Sequence, residues 1–483
     1  MSKSIKKNYI YNVFYNIVTL IIPIVTAPYI SRVLTPSGVG QFSFTYSIIT
    51  YFTIFASLGF GIYAQREIAN YQDDKEKQSK VFWEIILCRL ATVLISLAIN
   101  IVLILLNVYG DYSLLMWILC LNIFAIAFDV AFFFQGNEKF KLITIFNTLI
   151  KILYLVSIFL FVKDIEDVWI YTLLHCLMTI VTNLGLWLFL KNKICKVSIK
   201  ELRPFSHFKS SFRLFIPTIA ISIYTVLDKT LIGVIMQSDA ANGLYEQSEK
   251  IVKILLTIIT CLGTVMIPRN SNEFAKGNIE KVKQNIYTAT KFTWVLGIPI
   301  MFGTILISNN FVPWFFGEGF ELCSLYMMIF SPLILIMGLG NVIGNQFLLP
   351  TKEDKKYTIS VTIGAFVNLF FNLILIYLFG VIGAILATVI AELIVTIVLI
   401  IFAKDKLDFK YMFKCMIKPL IAGIIMFAIG YPISLLFTSS ILNTFIIVGI
   451  GIVVYALTIL LLKEEFVTDA LRKILKKKNK KEQ

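Results

Sequence analysis

Residues 352–406 read KEDKKYTISVTIGAFVNLFFNLILIYLFGVIGAILATVIAELIVTIVLIIFAKDK. Lysines crowd both ends. Between them stand two apolar runs, 357–379 and 382–403, joined at Gly380 by a turn without charge. Each run approaches the ~20 residues a helix needs to cross the hydrocarbon of a bilayer. The stretch therefore predicts two membrane-spanning helices with a bare turn on one side and basic ends on the other.

The same alternation extends over the whole chain. Apolar runs recur near 10–30, 41–62, 83–107, 113–134, 142–162, 168–190, 213–236, 245–267, 291–308, 324–349, 357–379, 382–403, 416–437 and 442–462, which predicts fourteen spans. Of the 44 Lys and Arg, only Arg32 and Lys163 fall in outer breaks. Arg89, Lys151, Lys229, Lys250 and Lys253 fall inside spans, and all the others lie on the side of the termini. Positive charge marks the cytoplasmic side, so both termini are expected there.

A chain of 483 residues that is 58% hydrophobic, with mean hydropathy +0.83, is not built around a soluble core. The runs must be helices, because lipid leaves the backbone no partner but itself, and nothing alternates as barrel strands do. The net charge of +15 follows from the positive-inside bias, so no nucleic acid is expected as partner. Clusters such as Lys476–Lys478 suit anionic membrane lipids instead. Residues 1–26 read as an uncleaved first span, since Asn12, Asn16 and Pro23 interrupt the run and no small-x-small cleavage site follows. The tail from Lys463 reads as a basic amphipathic helix, with Phe466, Leu471, Ile474 and Leu475 at roughly helical spacing. Outer breaks are short. Longer inner ones are expected at 63–82, 191–212 and 268–290.

Seven cysteines show neither CxxC nor zinc spacing, so no metal and no cofactor is expected. No GxxxxGK[ST] phosphate loop is present. The first outer turn, 31–40, carries no carboxylate to serve a membrane glycosyltransferase or polymerase. The composition points away from an enzyme and toward a secondary transporter.

A shift of 203 residues lays Gly40-Gln41-Phe42 on Gly243-Leu244-Tyr245, Arg66 on Arg269 and Lys80 on Lys283. Six spans separate the copies, so the repeats share one orientation, as in parallel-repeat transporters. The expected plan is an N-terminal lobe (1–190), a cytoplasmic linker (191–212), a C-terminal lobe (213–403), two added helices (404–462) and a basic tail (463–483).

Ionisable groups inside spans are costly in lipid and usually mark a partner or a wet path. They are Arg89, Asp129, Lys151, His175, Asp228, Lys229, Glu246, Glu249, Lys250, Lys253 and Glu392. In span eight, Glu246/Lys250 and Glu249/Lys253 are i,i+4 pairs, and the stripe reads either as self-neutralising or as the lining of a cavity. Pro23, Pro28 and Pro217 sit in corresponding first helices of the two lobes, as hinges or as packing kinks. Asn341, Asn345, Gln346, Asn368 and Asn372 form an amide series suited to interhelical hydrogen bonds. His175 reads as a satisfied core histidine.

Several stretches resemble Wzx-type polysaccharide repeat-unit flippases, of the polysaccharide transporter family within the multidrug/oligosaccharidyl-lipid/polysaccharide exporters. These are Ala27–Phe42 (APYISRVLTPSGVGQF), Gly59–Ile68 (GFGIYAQREI), Phe134–Phe140 (FQGNEKF), Ile216-Pro217 with Asp228, Gly233 and Gly243–Tyr245, and Asn368 and Asn372 with Gly380–Ala384 and Glu392. The resemblance implies an all-α bundle of two six-helix lobes around a central cavity. It implies a polyprenyl-diphosphate-linked oligosaccharide as substrate, with polysaccharide polymerase and chain-length proteins as partners. Arg32, Arg66, Arg89, Lys151, Lys229, Lys253 and Arg269 are then candidates for a cationic path for the diphosphate. For Arg66 and Arg269, ordinary inner-face anchoring is an equal reading. Asp228, Asp129, Glu249 and Glu392 are candidates for coupling to protons or sodium. The rivals are a lipid II-type flippase, a multidrug or metabolite antiporter and, from another class, a membrane polysaccharide polymerase.

In a variant freed of native cysteines, a cysteine replacing Glu318 should react with an impermeant maleimide added outside sealed cells. One replacing Gly277 should not. Labelling of both from outside would invert or abolish the two-sided scheme.

Overall fold

The protein is described by a computed structural model at residues 3–191, 193–469 and 472. Side chains are described from residue 21 onward, other than 199, 213–214, 216–218, 220–224 and 264–265. Helix makes up 86% of it, and no strand occurs among the described residues. Contacts divide the chain into two compact units, Met1–Gly243 and Leu244–Gln483. The lobes drawn from sequence instead divide at 191–212; contacts attach the seventh span to the first unit.

The first unit holds α1 (Lys3–Ser57), α2 (Phe60–Asn70), α3 (Lys75–Leu105), α4 (Ser113–Ile126), α5 (Ala131–Gly136), α6 (Phe140–Phe161), α7 (Val168–Trp187) and α8 (Phe208–Met236). Next, α9 (Asp239–Ala275) crosses into the second unit. There follow α10 (Ile279–Phe316), α11 (Leu322–Phe330), α12 (Leu333–Ile343), α13 (Asp354–Phe379), α14 (Val381–Ala403), α15 (Phe409–Lys414), α16 (Ile417–Leu436) and α17 (Ile441–Leu461).

Twelve helices among the described residues are long and apolar enough to span a membrane, against the fourteen expected. One of the twelve, Ile21–Asn70, merges the first two expected runs, and α8, which occupies the seventh, includes residues without described side chains. Outward-facing Leu105, Tyr377, Leu436 and Leu461 are more than two-thirds exposed, as lipid-facing side chains would be.

Two of the long inner breaks expected from sequence are helical. α9 carries Pro268 inside it and runs to Ala275, leaving only 276–278 before α10. α2 and α3 likewise fill most of 63–82. Polar composition alone suggests a loop, whereas helices extending past the hydrocarbon simply become polar there. Of the tail, Leu471, Ile474, Leu475 and Lys476–Lys478 lie outside the described residues, as does the side chain of Pro217.

The break in α1 comes at Thr35, with φ 58° and ψ 174°, and not at Pro23 or Pro28, which the helix carries inside it. Pro36 follows. A proline disfavours helical geometry in the residue before it and clashes with the carbonyl four residues back. Beyond the break, two helix starts cross with almost no gap. A Cβ on Gly40 would lie 1.7 Å from the Asp239 carbonyl oxygen, and one on Gly243 would lie 2.0 Å from that of Pro36. The contact is reciprocal: Gly40 and Gly243 are the glycines that the 203-residue shift superposes, and Pro36 and Asp239 superpose as well. The hairpin of α13 and α14 is equally tight. It turns at Gly380 (φ 58°), and a Cβ on Gly383 would lie 1.9 Å from the Leu375 oxygen. At its base, hydrogen bonds from Lys406 and then Lys356 hold the Glu353 carboxyl below the usual carboxylate range.

Overpacking of this kind typically costs about 1–3 kcal/mol or more. Gly40→Ala and Gly243→Ala should each lower the melting temperature of the detergent-solubilised protein. Gly449→Ala, whose Cβ would meet nothing within 4 Å, should leave it unchanged.

Candidate functional site

Span four is not continuous. Between α4 and α5 the chain unwinds over 127–130, although AIAFDVAFF contains neither Gly nor Pro. Three carbonyls at the break accept from side chains: Asn183 Nδ2 donates to Ala125 O at 2.8 Å, beside the Phe128 N–H, Trp187 Nε1 to Phe128 O at 2.8 Å and Arg89 Nη1 to Asp129 O. Asp129 Oδ1 accepts from the Ala131 N–H at 3.0 Å, the first N–H of α5. Unwound backbone at membrane depth survives where protein satisfies it, and this one is satisfied. The signal in the sequence was Asp129 itself, an acid in an apolar run with a cation one helix away.

Arg89, expected on a cationic cavity wall, is instead sealed in at 1% exposure. Its guanidinium lies 5.1 Å from the Phe132 ring centre and 3.9 Å from Asp129 Oδ2. Arg89 and Asp129 thus meet each other at the break.

The second polar centre joins α1 and α8. The Ser47 and Tyr51 hydroxyls lie 2.8 and 2.9 Å from Thr230 Oγ1, and Asp228, 4% exposed, acts electrostatically on Tyr51. Lys229 is half-buried, and its carbonyl accepts from Asn242 Nδ2 at 2.7 Å, which ties α8 to the start of α9. Tyr112 donates to Asp239 Oδ1 at 2.7 Å in the same region. The structure therefore gathers the Ser47 and Tyr51 hydroxyls at Thr230, two residues after Asp228, a grouping the sequence does not single out.

Arg66 stands exposed on α2 and lines a 520 Å³ groove with Gln65, Gln72, Gln135 and Glu138. One cation, three amides and a carboxylate supply both donors and acceptors for a polar ligand. Arg32 is exposed on α1, and Lys151 is half-buried on α6. His175 is not satisfied as expected: Phe42, Tyr46 and Tyr154 surround its ring at 5.4, 4.9 and 6.2 Å, and its Nδ1 has no hydrogen-bond partner among the described residues.

In the second unit both pairs on α9 form, Lys250–Glu246 at 3.2 Å and Lys253–Glu249 at 2.6 Å. Glu249 is buried while Lys253 is about half exposed, so the pair presents its cation outward. Arg269 is exposed near the end of α9, and Glu392 on α14 acts on Tyr357. Of the amide series, Gln346 and Asn341 join a chain with two further amides: Asn285 Nδ2 donates to Asn270 Oδ1 at 2.9 Å, Asn270 Nδ2 to Gln346 O at 2.8 Å, and Gln346 Nε2 to Asn341 Oδ1 at 3.0 Å. Gln346 sits in a π-helical turn, Gly344–Leu348, at the end of α12. A separate groove of 440 Å³, lined by Leu255, Pro299, Gly303, Ile447 and Tyr455 among others, is almost wholly apolar. No cluster of metal-ligating side chains occurs among the described residues.

The profile of the polysaccharide biosynthesis protein family matches residues 5–274, more than half of the chain. The chain belongs to that family. A protein of Escherichia coli (strain K12) named as an O-antigen transporter is 24% identical over 360 residues, 74% of this chain and 86% of its own length. Its namesake from Shigella dysenteriae is 21% identical and covers 74% and 90%. Among solved structures, the lipid II flippase MurJ in its inward closed conformation superposes with TM-score 0.73 at 18% identity, covering 97% of this chain and 99% of that one. An inward-facing multidrug MATE transporter superposes with TM-score 0.61 at 13% identity, covering 83% and 96%. The Wzx-type resemblance carried by the first-half motifs is met by the family match. The all-helical exporter fold is met by the structures.

Arg89 is sealed in while the Asp129 side chain is about a third exposed, and removing the buried donor leaves the Asp129 carbonyl unmet, at about 1–3 kcal/mol. Arg89→Ala should therefore sharply reduce abundance and melting temperature, and Asp129→Ala combined with it should cost less than the sum of the two single changes.

Proposed function

We propose that this protein flips polyprenyl-diphosphate-linked oligosaccharide repeat units from the cytoplasmic to the outer leaflet of a bacterial plasma membrane, for assembly of a surface polysaccharide. The observation that carries this reading is the match over 74% of the chain to O-antigen transporters, within a polysaccharide biosynthesis family. The chemistry of the substrate fits the residues. A diphosphate cannot cross hydrocarbon bare, and Arg66, Lys151, Lys229, Lys253 and Arg269 offer positive charge at several depths. The groove beside Arg66 adds amides suited to sugar hydroxyls, and the 440 Å³ apolar groove suits an isoprenoid chain.

Both termini face the cytoplasm in this reading, and polymerase and chain-length proteins receive the product outside. Movement is driven by an ion gradient, proton or sodium, with Asp228 among the acids able to carry the ion. The likeness to MurJ favours one second reading, transport of lipid II, whose anionic prenyl diphosphate shares the same chemistry. Neither reading makes the protein an enzyme.

Lys229→Ala should lower surface glycan at least several-fold at unchanged protein abundance, and Lys229→Arg should retain part of it. An equal fall in abundance would make Lys229 a structural partner only. In proteoliposomes, movement of a lipid-linked repeat unit but not of lipid II separates the first reading from the second.

A further inference from the structure

The segment from 203 to 211 lies in what the sequence marks only as a linker, yet a buried polar chain is built there. The Arg203 N–H donates to Glu84 Oε1 at 2.8 Å. His207 Nε2 lies 2.8 Å from Glu84 Oε2, and His207 Nδ1 lies 2.7 Å from the Tyr63 hydroxyl. The Glu84 and His207 side chains are 7% and 10% exposed. Ser210, exposed in the first turn of α8, lies near enough to act on the same Tyr63 hydroxyl. The Ser211 hydroxyl donates to Leu58 O at 2.6 Å, and Gly59 (φ 71°) leaves the room that a Cβ would take from Ser211 and Phe215. Elements α2, α3 and α8 thus converge on one histidine–carboxylate pair, with a hydroxyl line leading from it to an exposed serine.

This arrangement accepts a proton without moving a heavy atom. With a neutral ring, Nε2–H donates to Glu84, Nδ1 accepts from the Tyr63 O–H, and the pair carries one negative charge. With an imidazolium, both ring nitrogens donate, to Glu84 and to the Tyr63 oxygen, while Tyr63 turns its own hydrogen to Ser210. The pair is then neutral, and its hydrogen bonds are charge-assisted, hence stronger. The other titratable groups nearby are Glu67 on α2 and Tyr71 just after it, which act on Tyr63, Lys80 one turn before Glu84 on α3, and the exposed Arg203 and Lys209.

We propose that the Glu84–His207 pair is a proton-binding site that couples transport to a proton gradient. One proton arrives by way of Ser210 and Tyr63 and neutralises the pair, and its charge state sets how firmly residues 203–211 and the first turn of α8 are held to α2 and α3. The inference rests on the transport reading and deepens it: the coupled ion is a proton, and its site is at the start of α8 rather than at Asp228 in its interior.

Two measurements on the reconstituted full-length protein test it. Hydrogen–deuterium exchange of peptides covering 203–212, corrected for intrinsic rates, should be at least several-fold slower at pH 5.5 than at pH 8. His207→Gln and Glu84→Gln, which keep neutral hydrogen-bonding groups in place, should flatten that dependence. Flipping of a fluorescent undecaprenyl-diphosphate-GlcNAc probe should accelerate under an imposed pH gradient in the unmodified protein. In His207→Gln the acceleration should vanish while gradient-free exchange persists, and Tyr63→Phe should slow only the gradient-dependent part. A pH-independent exchange pattern in the unmodified protein, or full gradient response in His207→Gln, overturns the proton site. Failure of the unmodified protein to move any prenyl-diphosphate probe, with the pH-dependent protection intact, overturns the transport reading instead.

Discussion

Inside hydrocarbon a peptide group has no partner but its own chain, and an unmet N–H or C=O costs several kcal/mol. Most of the architecture follows from that constraint. Helices run long, 38 residues in α10, because each stop within the membrane leaves carbonyls to be satisfied. Where a helix does stop, side chains are brought in to meet the cost. The break between α4 and α5 draws Asn183, Trp187 and Arg89 to three of its carbonyls and sets the Asp129 carboxylate on the first N–H of α5. An arginine that would be prohibitive alone in lipid is there a hydrogen-bond donor with a fixed task.

Close approach of helices is the second demand. Lipid tails are as apolar as leucine, so helices gain by packing backbone to backbone at small residues. The reciprocal seating of Gly40 on Asp239 and of Gly243 on Pro36 is the tightest case. It falls on residues that the internal repeat superposes, so a single sequence signature supplies both sides of one contact. The break at Thr35 and Pro36 directs α1 into it, and Asn242 and Tyr112 hold the facing turn through Lys229 and Asp239.

Charge is handled in two ways. On α9, acids and lysines four residues apart neutralise one another locally, with the carboxylate of Glu249 inside and the ammonium of Lys253 outside. At the start of α8 the partners come from different helices, so the bond between Glu84 and His207 is also a bond between α3 and the linker. A local pair leaves the helices free of one another. A long-range pair makes protonation a matter of how the helices are held.

The sequence by itself determined what depends on composition along the chain: a helical membrane bundle, two equivalent sets of motifs, the pairs on α9 and the family. Those features are periodic or local, and lipid enforces them through the peptide group. Motif resemblance also picked out Gly40 and Gly243, without saying that they touch. Only the tertiary structure decided the rest. It unwound a run with no Gly or Pro at Asp129, sealed Arg89 away from any wall, set His175 among aromatic rings with no partner for Nδ1 among the described residues, and joined Tyr63, Glu84 and His207 across more than a hundred residues. These are long-range pairings of polar groups. Which pairings form is settled by which side chains packing brings within about 3 Å of each other, a distance that spacing along the chain does not encode.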